Sequence, residues 1–502
     1  MITLSMIVKN EEKHLRGCLE SVKDIIGEIV IVDTGSNDAT LEIAKEHQAE
    51  IYHFPWNDDF AAARNFALEK SKGEWILYLD ADERLSISSK TELKKLVEEN
   101  AAGKGKRAYQ CSIKNIDDFN SRPSTMLYTR LFPNDPKIRF EGAIHEQIEN
   151  SLISNNYKIF KSGIEIIHIG YSTNKDQLKI KAERNLKILL KEFENIKTAY
   201  NAFHIAQSYA LLDNKTEALK FFKYALQDKT LKKEYRALAF RYIAIESAQH
   251  QDWKKAFENI TSSLQSDPDQ PLALLAASKI FIKTGNFAEA EKCCRRAYEV
   301  NSELISGKRS SYQSIYLDEK DILYHCLNIA LSLSNKDLFN SFYKSLKNVR
   351  TDENKSEMEL LEILLNNKNI DINGSEKLLK TVSDSNLELI LAMLNNYPDN
   401  AFKIDLLNRI KGNFPGNSII LNKLALSLAA QKRFNEAEEN LLKSYDYNPN
   451  DPSTVFYLAS IFLINNKSEK ILPLILNAEN TYKNIPEITA RLRILKQKLN
   501  IN

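Results

Sequence analysis

Short apolar runs alternate with stretches of helical period along the first third of the chain. Ile2–Val8 reads as a strand, and in the following Glu12–Val22 the residues Leu15, Cys18, Leu19 and Val22 fall on one helix face. Glu28–Val32 is nearly all apolar, as expected of a strand buried on both faces of a parallel sheet. The turn Asp33-Thr34-Gly35-Ser36-Asn37-Asp38 comes next, with Asn37 or Asp38 available to cap the helix after it. Ile51–Phe54, the helix Phe60–Lys70 and the strand Trp75–Leu79 extend the alternation to βαβαβαβ. Right-handed crossovers then predict a parallel α/β sheet with helices on both faces.

From about Asn174 the strand signal stops. Asp176–Phe193 reads as one long amphipathic helix, and beyond it small and large apolar residues recur in sets. The first set is Ala206, Tyr209, Ala218, Phe222 and Ala225. The second is Ala244, Ser247, Ala256, Ile260 and Ser263, closed by Pro268, and the third is Ser278, Phe281, Ala290, Cys294 and Ala297. The pattern returns at Ala425, Leu428, Ala437, Leu441, Ser444 and Pro449, then at Ala459, Phe462, Ile471, Ile475 and Ala478. Ala256 to Ala290 and Ala437 to Ile471 are both steps of 34 residues, the tetratricopeptide period. Small residues let two antiparallel helices approach, and no single pair can bury its apolar face alone, so an all-α solenoid is expected. Residues 303–417 are helical in pattern without a clean repeat, and 366–374 reads as a loop within them.

Composition narrows the class. Of 502 residues 43% are hydrophobic and 27% charged, an ordinary globular balance, and the net charge of +2 offers no field for nucleic acid or an anionic membrane. Glycine (14) and proline (12) are scarce, in keeping with long uninterrupted helices. The five cysteines are odd in number and lack C-x-x-C spacing, which disfavours a disulfide framework or zinc knuckle. No apolar run approaches a membrane span, and the N-terminus lacks the pattern of a signal peptide, so a cytoplasmic protein is expected.

The candidate chemistry lies where strands end. Asp80-Ala81-Asp82-Glu83 follows an apolar strand, at the rim where open α/β sheets bind ligands, and two acids there suit a hard divalent cation. Asp33 ends another strand on the same rim and reads either as a turn aspartate or as an acceptor for a nucleoside N–H or hydroxyl. Val8-Lys9-Asn10-Glu11-Glu12 ends the first strand without any glycine, which counts against a G-x-G-x-x-G dinucleotide loop. Arg64 is the lone cation in Phe60-Ala61-Ala62-Ala63-Arg64-Asn65, placed to pair with phosphate or with Asp58 or Asp59.

Together these segments resemble the family 2 glycosyltransferases of the GT-A fold. The resemblance rests on S-M-I-V-K-N-E-E (5–12), I-V-D-T-G-S-N-D-A-T (31–40), N-D-D-F-A-A-A-R-N (57–65) and Y-L-D-A-D-E (78–83). Arg130-Leu131-Phe132-Pro133, the run from Ile138 to Gln147 and His168-Ile169-Gly170-Tyr171 narrow it to the branch fused to tetratricopeptide repeats, which includes SunS-like peptide S-glycosyltransferases. It implies a Rossmann-like GT-A domain over 1–173, a connecting helix over 174–198, repeats over 199–302, divergent helical repeats over 303–417 and C-terminal repeats over 418–502.

By the same resemblance Val8, Asn10, Glu11 and Asp33 line the nucleoside site, with Arg64, Asp80 and Ala81 at the nucleotide sugar. Asp80, Asp82 and His168 hold Mg²⁺ or Mn²⁺, and Lys181 and Arg184 reach the diphosphate. The implied reaction is inverting transfer from a UDP-linked sugar to a peptide, protein or glycan acceptor. The acidic pair common in the family is missing here, which leaves Glu146 as the first candidate for general base, with Glu141 and His145 behind it. The repeats would help to recognise the acceptor or pair two copies of the chain. The rival is a protein-binding scaffold whose GT-A domain has lost catalysis. Against it stands the presence of Asp33, Asp80, Asp82 and His168 together.

Overall fold

The computed structural model describes residues 1–101, 106–115, 124–169, 175–306, 308–309, 313–349, 355–366, 380–395, 397–449, 451–483 and 485–499. Gly170 and Tyr171 of the last motif, and 367–374 of the expected loop, lie outside these residues. The chain forms two compact units, Met1–Ala239 with Glu303–Leu317, and Phe240–Ser302 with Asp318–Asn502.

The first unit is built on a nine-stranded sheet. Its opening elements are β1 (Ile2–Val8), α1 (Leu15–Val22), β2 (Glu28–Asp33), α2 (Thr40–Glu46), β3 (Glu50–His53), α3 (Phe60–Lys70) and β4 (Trp75–Tyr78). These strands pair in parallel in the order β3-β2-β1-β4. Beyond β4 the expected parallel sheet becomes mixed. After β5 (Glu83–Leu85) and α4 (Ile87–Ala101) come β6 (Arg107–Asn115) and β7 (Ser124–Pro133), and β7 runs antiparallel to both β4 and β6. Next are α5 (Glu149–Ser154) and β8 (Lys158–His168), which lies parallel to β6 and antiparallel to β5. One strand also appears where none was expected, β9 (Gln313–Ile315), antiparallel to the start of β7.

Side chains alternate across each strand, so β4 feeds two cores, and β1 joins one of them. Leu4, Met6 and Leu77 pack with the α1 residues Leu15 and Leu19 on one face, while Ile76 and Tyr78 pack with Phe132 and Phe140 on the other. Each such burial is worth about 1.5–3 kcal/mol. The four residues read from the α1 period are its buried ones. The capping expectation for α2 fails: Ala39 holds the cap position, and Asp38 instead accepts the Thr40 amide at 3.0 Å and the Glu12 amide at 3.2 Å. Gly35 has φ +108°, a left-handed turn that a residue with a Cβ would strain.

The unit closes with α6 (Lys175–Asn195), α7 (Ala199–Leu211), α8 (Lys215–Ala225) and the first residues of α9 (Lys233–Gln249). Thr198 caps α7 by accepting the Asn201 amide, and Asn214 caps α8 through the Glu217 amide. Ala206, Ala218, Phe222 and Ala225 are buried where these two helices meet, whereas Tyr209 is only partly covered.

The described residues of the second unit are mainly helical. All of Ala244, Ser247, Ala256, Ile260 and Ser263 are buried, and so are Ala425, Leu428, Ala437, Leu441 and Ser444. Pro271 and Pro452 each open a helix, where a missing amide hydrogen costs nothing. The region without a clean repeat holds helices at Glu319–Ser332, Lys336–Asn348, Lys355–Leu365, Leu387–Asn395 and Asn400–Asn413. No helix among the described residues is long and apolar enough to cross a membrane.

Candidate active site

The carboxyl ends of β1, β2 and β4 form one rim, as parallel pairing of these strands requires. After β1, Asn10 turns the chain with φ +58° and its side chain accepts the Asn37 amide at 2.9 Å. The Glu11 amide donates to Thr40 Oγ1 at 2.7 Å. These bonds tie the first strand's loop to the second's. Asp33 is 3% exposed, and its two oxygens accept the Gly35 amide at 3.2 Å and the Ser36 amide at 3.0 Å. These bonds form the expected aspartate turn, His53 Nδ1 stands 3.4 Å from Oδ2 as well, and Thr34 lines the cavity at this rim with Val8 and Glu11.

After β4 the acids diverge in their partners. Asp80 Oδ1 accepts Arg64 Nη2 at 2.7 Å, and Arg130 Nη2 stands 3.4 Å from Oδ2. The two guanidinium groups hold its carboxyl well below the usual range despite the opposing effect of burial. Asp82 faces His168 instead, Oδ2 to Nε2 at 3.0 Å. The opposite ring nitrogen, Nδ1, is 2.7 Å from Asn115 Oδ1, which fixes the ring. Burial pulls the His168 imidazole down, but the hydrogen bond and charge of Asp82 outweigh it and leave the pKa raised.

Asp82 and His168 fit a divalent cation as a two-donor set. Ligands about 2.1 Å from Mg²⁺ at right angles stand about 3.0 Å apart, and such ions are held by one or two carboxylates with phosphate and water completing the shell. Asp80, expected as a third ligand, faces two arginines instead. Among the described residues no group of three or more His, Cys, Asp or Glu donors gathers.

Arg64 is the hub. Its side chain is 8% exposed, and besides Asp80 it donates through Nε to Glu146 Oε1 at 2.5 Å. Its guanidinium lies 4.9 Å from the centre of the Tyr78 ring. It pairs with neither Asp58 nor Asp59: Asp59 caps α3 at the Ala62 amide, and Asp58 accepts from Trp56 Nε1. Glu141 is held by reciprocal backbone hydrogen bonds with Gln147. His145 has φ +56° and stacks on His204 with ring centres 4.0 Å apart.

Sequence reading missed Glu83 and Arg130. Glu83 accepts the Asp80 amide at 2.9 Å and Arg130 Nη2 at 2.7 Å. Burial pushes its carboxyl up to about 7 against the pull of Arg130, whose own charge is reinforced by the pair. Their signal was present as the fourth residue of D-A-D-E and the first of R-L-F-P.

Two cavities meet here. One, of about 540 Å³, is lined by Val8, Thr34, Ala81, Asp82, Lys181 and Arg184 among others. Arg184 lies over the Phe60 ring at 5.5 Å, and burial lowers its pKa. The other, of about 510 Å³, extends toward Tyr128, Tyr200 and His204. Arg64, Asp80, His145, Glu146 and His168 border both.

Residues 3–154 match the glycosyl transferase family 2, and residues 272–304 match a tetratricopeptide repeat. A tetratricopeptide repeat-containing protein of Synechococcus elongatus is 38% identical over 189 residues, 36% of this chain and 45% of that one. The SPbeta prophage-derived glycosyltransferase SunS of Bacillus subtilis is 31% identical over 237 residues, 45% of this chain and 53% of that one. The chain thus spans about half the length of these relatives. A crystal structure of residues 1–349 of S. aureus TarS with UDP-GlcNAc covers 53% of this chain and 91% of its own, at 14% identity and a TM-score of 0.31. The chain thus matches a family 2 glycosyltransferase domain over residues 3–154 and a tetratricopeptide repeat over residues 272–304.

Proposed function

We propose that the protein transfers a sugar, with inversion at C1, from a UDP-linked donor to a peptide, protein or glycan acceptor. The carrying observation is the meeting of two cavities at Arg64, Asp80, His145, Glu146 and His168. The donor occupies the cavity of Val8, Thr34, Ala81 and Asp82, with its diphosphate toward Lys181 and Arg184, while the acceptor enters from the other side.

Asp82 and His168 hold Mg²⁺ or Mn²⁺, which when bound serves as a Lewis acid for the departing diphosphate. Asp80, oriented by Arg64 and Arg130, reaches the ribose. Glu146 takes the proton of the acceptor as its oxygen or sulfur bonds to C1, and the electron pair of the broken C1–O bond leaves with UDP. Asn115 fixes the His168 ring and Arg64 fixes the direction of Glu146. The five cysteines are all free and buried, in keeping with action in the reducing cytoplasm. The organisation proposed is a GT-A domain over 1–173 joined by 174–198 to the repeats.

The test is titration of UDP with and without Mn²⁺, followed by mass spectrometry of cell extract incubated with the protein and a panel of nucleotide sugars. Metal-dependent UDP binding together with a product of added sugar mass is expected. UDP binding that is absent, or indifferent to metal, would favour an inactive scaffold.

A further inference from the structure

The second cavity contains buried polar groups that the protein leaves short of well-formed hydrogen bonds. His204 is 7% exposed; Gln207, which also lines the cavity, reaches its ring, but neither ring nitrogen gains a hydrogen bond of good geometry. Arg130 is 6% exposed, and its Nε is without a partner. Both side chains line this cavity. An unsatisfied buried donor or acceptor costs about 1–3 kcal/mol. The orphaned Arg130 Nε on β7, with the poorly satisfied His204 ring on α7 in the same cavity, points to a ligand that brings hydroxyl groups.

The walls specify that ligand further. The charged lining residues lie at the Glu146 end and neutralise each other: Arg64 with Asp80 and Glu146, Arg130 with Glu83. Away from them the lining is neutral and largely aromatic, with Tyr128, Tyr200, Phe203 and Tyr235. Tyr200 is braced by accepting Gln147 Nε2 and donating to the His145 carbonyl, each at 2.8 Å. Aromatic faces with scattered neutral hydrogen-bonding groups suit a ring that is apolar on its C–H face and polar at its edge. A volume of about 510 Å³ is that of a small-molecule site. It admits a ring or two and not a protein surface.

We infer that this cavity binds the acceptor as a neutral sugar ring, whose hydroxyls meet His204 and Arg130 and whose attacking hydroxyl faces Glu146. The inference rests on the glycosyltransferase reading and adds the acceptor's class and its binding residues. The sugar is either a free glycoside or the terminal unit of a glycan.

The experiment uses the full chain with saturating UDP and Mn²⁺, and records ligand-observed saturation-transfer NMR with a panel of methyl hexopyranosides and their β-linked disaccharides. At least one probe should bind, at least fivefold more weakly to Tyr128→Ala and to His204→Leu, with UDP affinity unchanged in both. Tyr128 is 36% exposed, so its truncation keeps the test valid if His204→Leu fails to fold. Preference for disaccharides identifies a glycan terminus, and equal binding of monosaccharides a free glycoside. UDP binding without any glycoside binding overturns the inference and spares the donor assignment. Glycoside binding that both variants leave intact overturns the location. If serine, threonine or cysteine peptides bind instead and the variants weaken them, the acceptor class is wrong. Glycoside binding without UDP binding upholds the cavity and removes the donor site.

Discussion

Replacing Arg64 tests how the site is held together, because one buried guanidinium serves two carboxylates. Its side chain is 8% exposed, that of Glu146 15% and that of Asp80 40%. Arg64→Met keeps much of the stem packed against Tyr78 but removes the charge. Breaking a buried pair by deleting one partner costs about 3–5 kcal/mol, mostly from the charge left behind. Asp80 keeps Arg130 at 3.4 Å and some access to water, so most of the penalty falls on Glu146. A loss of about 3 kcal/mol follows. At about 2–4 °C per kcal/mol for a domain of this size, the melting transition of the first unit should fall by about 6–12 °C. Circular dichroism, with the fluorescence of Trp56 and Trp75, follows that transition. The double variant Arg64→Met with Glu146→Gln removes the stranded charge and should regain about 1 kcal/mol relative to additivity. A melting shift below about 2 °C in the single variant, or strict additivity in the double, would refute the two-carboxylate account.

Three further outcomes are expected. Asp82→Ala should abolish the Mn²⁺ dependence of UDP binding, measured by calorimetry, while melting falls only by the about 2–4 °C that losing the bond to His168 costs; retained dependence would remove Asp82 and His168 as the cation's holders. Glu146→Gln can still accept from Arg64 Nε but cannot take a proton, so UDP affinity should hold while transfer falls ~10²–10⁴-fold in a product-release assay. Equal transfer rates at pH 6–7 would move the search to Glu141 or His145. Tyr200→Phe deletes the hydroxyl that donates to His145 and accepts from Gln147, at a cost of about 1 kcal/mol; denaturant titration should show it, and a neutral result would mean the segment around Glu146 is held by its own backbone.

Much of the parallel half of the sheet was legible because burial on both faces, or on one stripe of a helix, writes itself as local period. β1, α1 and α3 are examples, and the repeat positions Ala256 and Ala437 are buried as the spacing required. The antiparallel half was not read. Arg107–Asn115 and Lys158–His168 mix exposed polar residues with apolar ones, and their pairing depends on partners some 50 residues away. The same limit applies to chemistry. Strand ends pointed to Asp80 and Asp82, and only the family resemblance pointed to His168, but no spacing rule joins Arg64 to Glu146 across 82 residues. Nor does any period reveal that a repeat helix would bring Tyr200 to the His145 carbonyl.

The short strand β9 bears on how the protein is made. Its residues 313–315 pair with Ser124–Met126, so the sheet that carries the site is finished by chain nearly 190 residues downstream. During synthesis at about 5–20 residues per second, β7 waits roughly 10–40 s for this partner after leaving the ribosome. Meanwhile the helices that precede residue 303 have already emerged and begun to pack. A stop codon anywhere before residue 313 therefore yields not a shorter solenoid on an intact sheet but an N-terminal unit missing a strand of its own sheet.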